Sequence, residues 1–170
     1  PSMAKADLDE LPNYENIVSR GDTLVEHLEW QLRMENLDDE EMKFAMEVLY
    51  SINDDGYLAH PFEELIAETE LDRDHAHSIL ELIQRLDPVG CGSENLVDCL
   101  LAQAKIAEER SPLLEKIIRD HLEDIRCNDF EKIAKTTGVT SEIVKSNIEL
   151  LQNFHPKPGR LISPADTHYV

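Results

Sequence analysis

The amino-acid sequence predicts an all-α fold with two small helical subdomains: an antiparallel helical bundle followed by a three-helix, helix-turn-helix-like unit. Of the 170 residues only 6 are glycine and 5% are aromatic, a composition that favours helices over sheets. Apolar residues recur at helical spacing along most of the chain. Residues 1–110 hold 27 acidic and 8 basic side chains, whereas residues 111–170 hold 9 and 8. We therefore predict a subdomain boundary near residue 110.

Composition also excludes several classes of protein. No apolar stretch reaches the ~18 residues of a membrane span and no secretory signal opens the sequence, so we expect a cytoplasmic protein without membrane contact. The three cysteines, Cys91, Cys99 and Cys127, form no C-x-x-C pair. This pattern indicates neither a disulfide framework nor a zinc ribbon, and we expect the three side chains to be buried. A start at Pro1 predicts a fragment of a longer protein.

The formal net charge of −20 lies almost wholly in the first 110 residues. Such a surface repels phosphate, so we expect little DNA binding by it. An acidic helix face is ordinarily solvated surface, but it also suits docking against a basic protein partner.

In chain order, residues 1–21 carry several acids and no sustained period, so we expect a flexible acidic leader. Thr23 and Glu26 predict the start of the first helix, which should end near Asn36. Its leucines recur every four residues, and Trp30 is expected to widen their apolar surface.

A second helix is predicted to start at Asp38, with Glu41 completing a capping box, and to end at the Asn53–Gly56 turn. This acidic turn fails as a calcium-binding loop. With Gly56 in the sixth position, serine stands first and phenylalanine twelfth, where the loop requires an acid and a glutamate.

Pro61 predicts a third helix and Asp72 a fourth. His75 and His77 lie on different sides of that fourth helix, so they do not form a metal site. A fifth helix running to about Arg110 completes the predicted bundle of residues 22–110.

The fourth and fifth helices are joined by a sharp elbow. Asp87 and Pro88 break the helix because a residue before proline is displaced from the α region, and Gly90 and Gly92 supply positive φ. Ser93 is expected to cap the fifth helix. Taken alone, such an elbow is an ordinary corner between two helices.

Residues 111–155 form the second predicted subdomain. Ser111 and the following proline restart the chain as a helix, and Asn128 is expected to open the next. Gly138 then turns the chain into a last helix that begins after Thr140.

The turn at Gly138 is typical of a helix-turn-helix, but the helix after it pairs Glu142 with Lys145 on its outer face, which is too few cations for DNA phosphates. Beyond it, the closely spaced Pro156 and Pro158 exclude a helix. We therefore expect residues 156–170 to be an extended tail or linker.

The sequence holds no phosphate-binding glycine loop, no G-x-S-x-G turn and no H-E-x-x-H pattern. Its acids are spread over predicted helix faces. We therefore expect no enzymatic activity, no cofactor and no metal site.

Four ordered motifs resemble the core-binding region of the enhancer-dependent bacterial RNA polymerase sigma factor, called sigma N or the sigma fifty-four class. The elbow is similar to D-P-x-G-V-G-A-R-D-L-x-E-C-L and the first helix to L-x-x-x-L-x-x-Q-L. Residues 55–58 match the last four positions of D-x-D-G-Y-L, and residues 156–159 match P-K-P-G. The resemblance extends over about residues 22–160. Cys91, Ser93, Glu94 and Asn95 depart from the elbow motif, and Glu94 reverses the charge of an arginine.

The resemblance implies that two helical subdomains hold a sigma factor on core RNA polymerase for promoter-specific, activator-dependent initiation. It further implies an ATP-dependent activator acting through an N-terminal region, and promoter DNA read through a C-terminal region, both outside this chain. The partner-binding positions that it implies are Leu24, Gln31, Leu32, Asp87, Pro88, Gly90, Gly92, Leu96, Cys99, Leu100, Gln103, Pro156, Lys157, Pro158 and Gly159. Glycines and prolines among them either contact the partner or serve the fold alone.

Two other functions are compatible with the pattern. A stand-alone helix-turn-helix DNA-binding regulator would use the tract around Gly138, and a helical scaffold would have no link to polymerase. DNA affinity with a steep salt dependence would separate the regulator from the sigma-like fragment.

Overall fold

The structure, a computed structural model, describes residues 23–162. Its helices are α1 (Leu24–Leu32), α2 (Asp39–Tyr50), α3 (Phe62–Ala67), α4 (Arg73–Gln84), α5 (Leu96–Lys105), α6 (Pro112–Arg126), α7 (Phe130–Thr137) and α8 (Ser141–Leu150), followed by 3-10 turns over Leu151–Asn153 and Pro158–Leu161. Within residues 23–162 there is no β-strand, only isolated bridges joining Ile52 to Leu58 and Tyr57 to Ser93. The all-α prediction is confirmed. The predicted leader, residues 1–21, and the tail beyond residue 162 lie outside the described residues.

Most helices start at the polar residue that the sequence predicts. The caps whose side chains accept a backbone N–H bond in this way are Thr23, Asp38, Asp72, Ser111 and Thr140. At α2 the box is complete: the Asp38 carboxylate accepts from the Glu41 N–H at 2.8 Å, and the Glu41 carboxylate accepts from the Asp38 N–H at 2.9 Å. These bonds satisfy amide groups that have no partner within the helix.

Two predictions about α1 are wrong. The helix ends at Leu32 rather than near Asn36, because Leu32 is the last residue of its buried face. Trp30 lies off that face and is 64% exposed.

The predicted bounds of α5 are also wrong. Asn95, not Ser93, caps it, because the Ser93 hydroxyl is buried and donates to the Gly90 carbonyl at 2.7 Å. The helix ends at Lys105 instead of Arg110. Arg110 turns toward α6, where its Nε lies 2.6 Å from a carboxylate oxygen of Glu115.

Two further corrections concern residues after α6. Asp129 rather than Asn128 caps α7, since Asn128 takes a left-handed φ of 57°. Cys127, predicted to be buried, is exposed because it lies at the turn that follows the last residue of α6.

The end of the described chain is not extended as predicted. Pro158 begins a 3-10 turn as its first residue, a position where proline's missing N–H costs nothing. Pro158 and Gly159 are buried against the remainder of the molecule.

Within residues 23–162 the buried apolar residues form three clusters. The largest joins α1, α2, α3, α4 and the elbow. The second joins Leu100 and Ala104 of α5 to Leu114 and Ile118 of α6, and the third joins Ile117 of α6 to α7 and α8. Because α5 shares a cluster with α6, the predicted division at residue 110 stays a prediction.

Candidate partner-binding site

A glutamine on α1 fastens this helix to the elbow. The Gln31 Nε2 donates to the Asp87 carbonyl at 2.5 Å, and the Gln31 Oε1 accepts from the Asp87 N–H at 2.8 Å. Both backbone groups of one elbow residue are therefore held by one side chain. The Asp87–Pro88 peptide bond is cis.

A second glutamine repeats this arrangement on α5. The Gln103 Nε2 donates to the His155 carbonyl at 2.9 Å, and the Gln103 Oε1 accepts from the His155 N–H at 2.8 Å. Gln103 is buried, so these bonds take the place of the hydrogen bonds to water that its amide loses on folding. They fasten the segment before the P-K-P-G motif to α5.

The loop after α2 lies between the elbow and the P-K-P-G segment. The Asn53 Oδ1 accepts the N–H groups of Asp55, Gly56 and Tyr57 at 3.0, 3.1 and 3.1 Å. The Gly56 carbonyl then accepts from the N–H of an elbow glycine, Gly92, at 2.8 Å. We call residues 53–58, 86–95 and 155–160, with the two glutamines, the junction.

The P-K-P-G segment closes the junction from the other side. The Asp55 carbonyl accepts from the Gly159 N–H at 2.9 Å, and the Asp55 carboxylate lies 2.5 Å from the Nε of Arg160. The Tyr57 hydroxyl donates to the Pro156 carbonyl. A Cβ on Gly159 would overlap backbone atoms of Asp54, Asp55 and Gly56, so only glycine fits there.

Burial keeps the thiol and phenol groups in and beside the junction neutral. Burial raises the pKa of the Cys91 thiol to about 12 and is also the largest cause that raises the pKa of Cys99 and of Tyr57. A thiol must ionise to act as a nucleophile. Both thiols are therefore weaker nucleophiles at neutral pH than a free cysteine.

A family model described as "Sigma-54 factor, core binding domain" matches residues 13–170. The chain is 33% identical over 168 residues to the RNA polymerase sigma-54 factor of Escherichia coli K12 and 32% identical over 168 residues to that of Salmonella typhimurium LT2, covering 95% of this chain and 35% of each relative. It is 31% identical over 159 residues to that of Pseudomonas aeruginosa, covering 89% of this chain and 32% of the relative. The chain belongs to the sigma-54 factor family. It spans about a third of the length of these relatives.

Most positions implied by the sigma-54 resemblance are buried. The buried ones are Leu24, Leu32, Pro88, Gly90, Gly92, Cys99, Leu100, Gln103, Pro158 and Gly159. The exposed ones are Asp87, Leu96, Pro156 and Lys157, and Gln31 is half-buried. The resemblance therefore marks mainly residues that build the junction. Direct contact with a partner stays a prediction for the exposed positions.

The structure brings the sigma-54 motifs together at the junction but does not bring all their residues into one patch. Leu24 and Leu32 lie in the largest core cluster, and Leu100 lies in the cluster between α5 and α6. Leu96 is exposed at the first turn of α5.

Sequence reasoning missed the part played by Glu94, where this chain departs from the sigma-54 motif. Its Oε2 accepts from the N–H of Phe62 at 3.1 Å, at the start of α3. Pro61, the residue at the cap position, supplies no side-chain bond. No sequence pattern links Glu94 to Phe62, so the cap was visible only in three dimensions.

No group of three or more His, Cys, Asp or Glu side chains within residues 23–162 is placed to hold a metal ion. None of the described helices is long and apolar enough to cross a membrane.

Proposed function

We propose that this chain binds core RNA polymerase and so tethers an enhancer-dependent sigma factor to it. The observation that carries the proposal is the match of residues 13–170 to the core-binding domain of the sigma-54 family. The junction supports it, because the motifs that resemble this family are used to fix α1, the elbow, α5 and the P-K-P-G segment in one arrangement. A partner then meets a preformed surface, which lowers the entropy cost of binding.

The charge distribution indicates how the two proteins meet. The excess of acids in residues 1–110 attracts basic surfaces and raises the rate of encounter at low salt. Binding should weaken as salt rises, mainly through a slower association rate.

The remaining elements of the proposal concern the rest of the sigma factor. An ATP-dependent activator acts through a region N-terminal to this chain, and promoter DNA is read through a region C-terminal to it. The chain itself binds the polymerase, in the cytoplasm where transcription takes place.

A DNA-reading role for α7 and α8 has weaker support. The outer face of α8 exposes Glu142 and Glu149 beside Lys145. Two acids against one lysine oppose contact with phosphates.

The test is a binding titration of the tagged chain against purified core polymerase between low and physiological salt. An acidic helical protein of similar net charge serves as the control for nonspecific attraction, and untagged chain serves as competitor. We expect saturable, competable binding that weakens with salt, and no gel shift with nonspecific DNA. Recovery of no polymerase subunits at low salt, or equal recovery by the acidic control, would refute the proposal.

A further inference from the structure

Two large apolar side chains, one in α1 and one just after it, face solvent. Trp30 is 64% exposed, and Met34, just beyond the helix, is 62% exposed. The Met34 N–H bonds to the Gln31 carbonyl, three residues back, so one turn follows the end of α1 at this residue. Residues four apart along such a turn are neighbours. Tryptophan and methionine are both enriched at protein interfaces.

The Asp87 residue of the elbow is tied to α1 by two other side chains. His27 and Gln31 both reach Asp87: the His27 Nε2 is 3.9 Å from the Asp87 carboxylate, and Gln31 holds the Asp87 backbone. His27, Trp30 and Gln31 share one side of α1 by their spacing of three and four residues, and Met34 follows in the turn after the helix. We call these four residues with Asp87 the α1–elbow face.

The Asp87 carboxylate differs from several other acids of the described residues in having no arginine or lysine partner among them. Several carboxylates have an arginine partner within the chain: Glu29 with Arg33, Asp55 with Arg160, Glu63 with Arg73, and Glu115 with Arg110. Within residues 23–162, Asp87 pairs with no arginine or lysine, and its side chain is 82% exposed. Its backbone is nevertheless held by Gln31, so the exposed carboxylate projects from a fixed point of the chain.

We propose that the α1–elbow face docks a segment of core RNA polymerase that presents an arginine beside an aliphatic side chain. The guanidinium lies over the Trp30 indole and donates to the Asp87 carboxylate, and the aliphatic side chain packs on Met34. The inference rests on the proposed polymerase binding and adds where that contact is made and by what chemistry.

Charge and shape together select this occupant. A planar guanidinium stacks on an aromatic ring while its N–H groups pair with a carboxylate, which a lysine ammonium does less well. A basic segment is also what an acidic chain attracts. An exposed tryptophan surrounded by polar groups has the composition of an interface hot spot.

The chain contains only one tryptophan, which gives the test a specific probe. Replacing it with 5-fluorotryptophan yields one fluorine NMR resonance, from Trp30. We expect that resonance to shift or broaden when core polymerase is added, and to be unaffected by bovine albumin at the same concentration.

Affinity measurements on variants complete the test. We expect Trp30→Ala to weaken core binding by about tenfold or more and Asp87→Asn by about fivefold. Matched controls are Tyr50→Ala, which removes another aromatic that is 71% exposed, and Asp120→Asn, which removes one exposed charge on α6. Both controls should bind within about twofold of the unmodified chain.

The outcomes separate the two proposals. If the unmodified chain does not bind polymerase, the proposed function fails. If it binds while Trp30→Ala and Asp87→Asn bind equally well, only the docking face is wrong. A fluorine shift that depends on chain concentration alone would assign the face to a second copy, and a shift on deleting residues 1–21 would assign it to that segment; either overturns the proposal. Should Trp30→Ala unfold, the fluorine signal of the chain with polymerase decides.

Discussion

The junction and the α7–α8 unit each require a glycine, but the surroundings of the two glycines differ. Around Gly159 the backbone of residues 54–56 approaches so closely that no Cβ fits. Around Gly138, which takes a φ of 77° between α7 and α8, no heavy atom would lie within 4 Å of an added Cβ. One glycine is required by neighbouring chain segments, and the other only by its own dihedral angles.

Hydrogen bonds divide the two regions in the same way. Gln31 and Gln103 bond to residues far along the chain, at Asp87 and His155. The α7–α8 unit has one such long-range bond, from the Ser111 hydroxyl to the Asn147 amide oxygen at 2.7 Å. Most of its other side-chain bonds reach back one helical turn, as from the Thr136 hydroxyl to the Lys132 carbonyl. The junction therefore forms only when distant segments have met, whereas much of the α7–α8 unit is specified locally.

Gly159→Ala, in the junction, is expected to have the largest effect on stability. The added methyl group must push backbone apart, and we expect the free energy of unfolding to fall by about 3 kcal/mol. Urea denaturation followed by circular dichroism measures the loss.

Gly138→Ala is the matched control. Open space would surround a Cβ added at Gly138. Only the left-handed φ therefore opposes alanine, at a cost of about 1 kcal/mol. Equal losses for the two variants would mean that close backbone approach does not distinguish the junction.

Gln103→Leu tests the side-chain bonds of the junction at nearly constant volume. It leaves the N–H and carbonyl of His155 without the Gln103 partner, and we expect a loss of about 2 kcal/mol in unfolding free energy. Proteolysis should also cut the chain more readily around residue 155. Gln152→Leu, on an exposed residue of the 3-10 turn, should change stability by less than about 0.5 kcal/mol. A similar loss at Gln152 would indicate a general effect of leucine.

Glu94→Ala tests a smaller link between the elbow and α3. Removal of the carboxylate leaves the Phe62 N–H without its cap, and we expect a loss of about 1 kcal/mol. Glu94→Gln keeps an acceptor oxygen and should recover part of that loss. If Glu81→Ala, on the exposed side of α4, costs as much, the cap is not the cause.

Sequence reasoning succeeded where the cause is local. The caps at Asp38 and Ser111 and the positive φ at Gly90 and Gly92 follow from a few neighbouring residues, and the structure contains them. The helical class followed from composition and apolar spacing.

It failed where the cause is a distant segment. Pro156 and Pro158 indicated an extended tail, but docking of Gly159 on residues 54–56 folds the segment into a turn. The same holds for Gln103, whose partner His155 is identified only by the tertiary structure. A resemblance to a family marked these positions without giving the reason for them.

The smallest expected effect concerns a pair outside the junction, which ties α2 to α4. The His75 Nε2 lies 2.7 Å from the Glu41 carboxylate; this bond raises the pKa of His75, and bonds from Asp38 and His75 lower the pKa of Glu41. The His75 contribution to stability is full below its unfolded pKa of 6.5 and is lost as pH rises through the higher folded pKa, whereas that of Glu41 is lost as pH falls below 4.5. Over the range of about pH 5 to 8 where histidine titrates, the temperature of thermal unfolding should therefore decline toward the alkaline end. His75→Gln should remove that decline. His60→Gln, at an exposed histidine 3.9 Å from Glu64, should keep the decline. If His75→Gln keeps it as well, the α2–α4 pair does not act as a pH-dependent link.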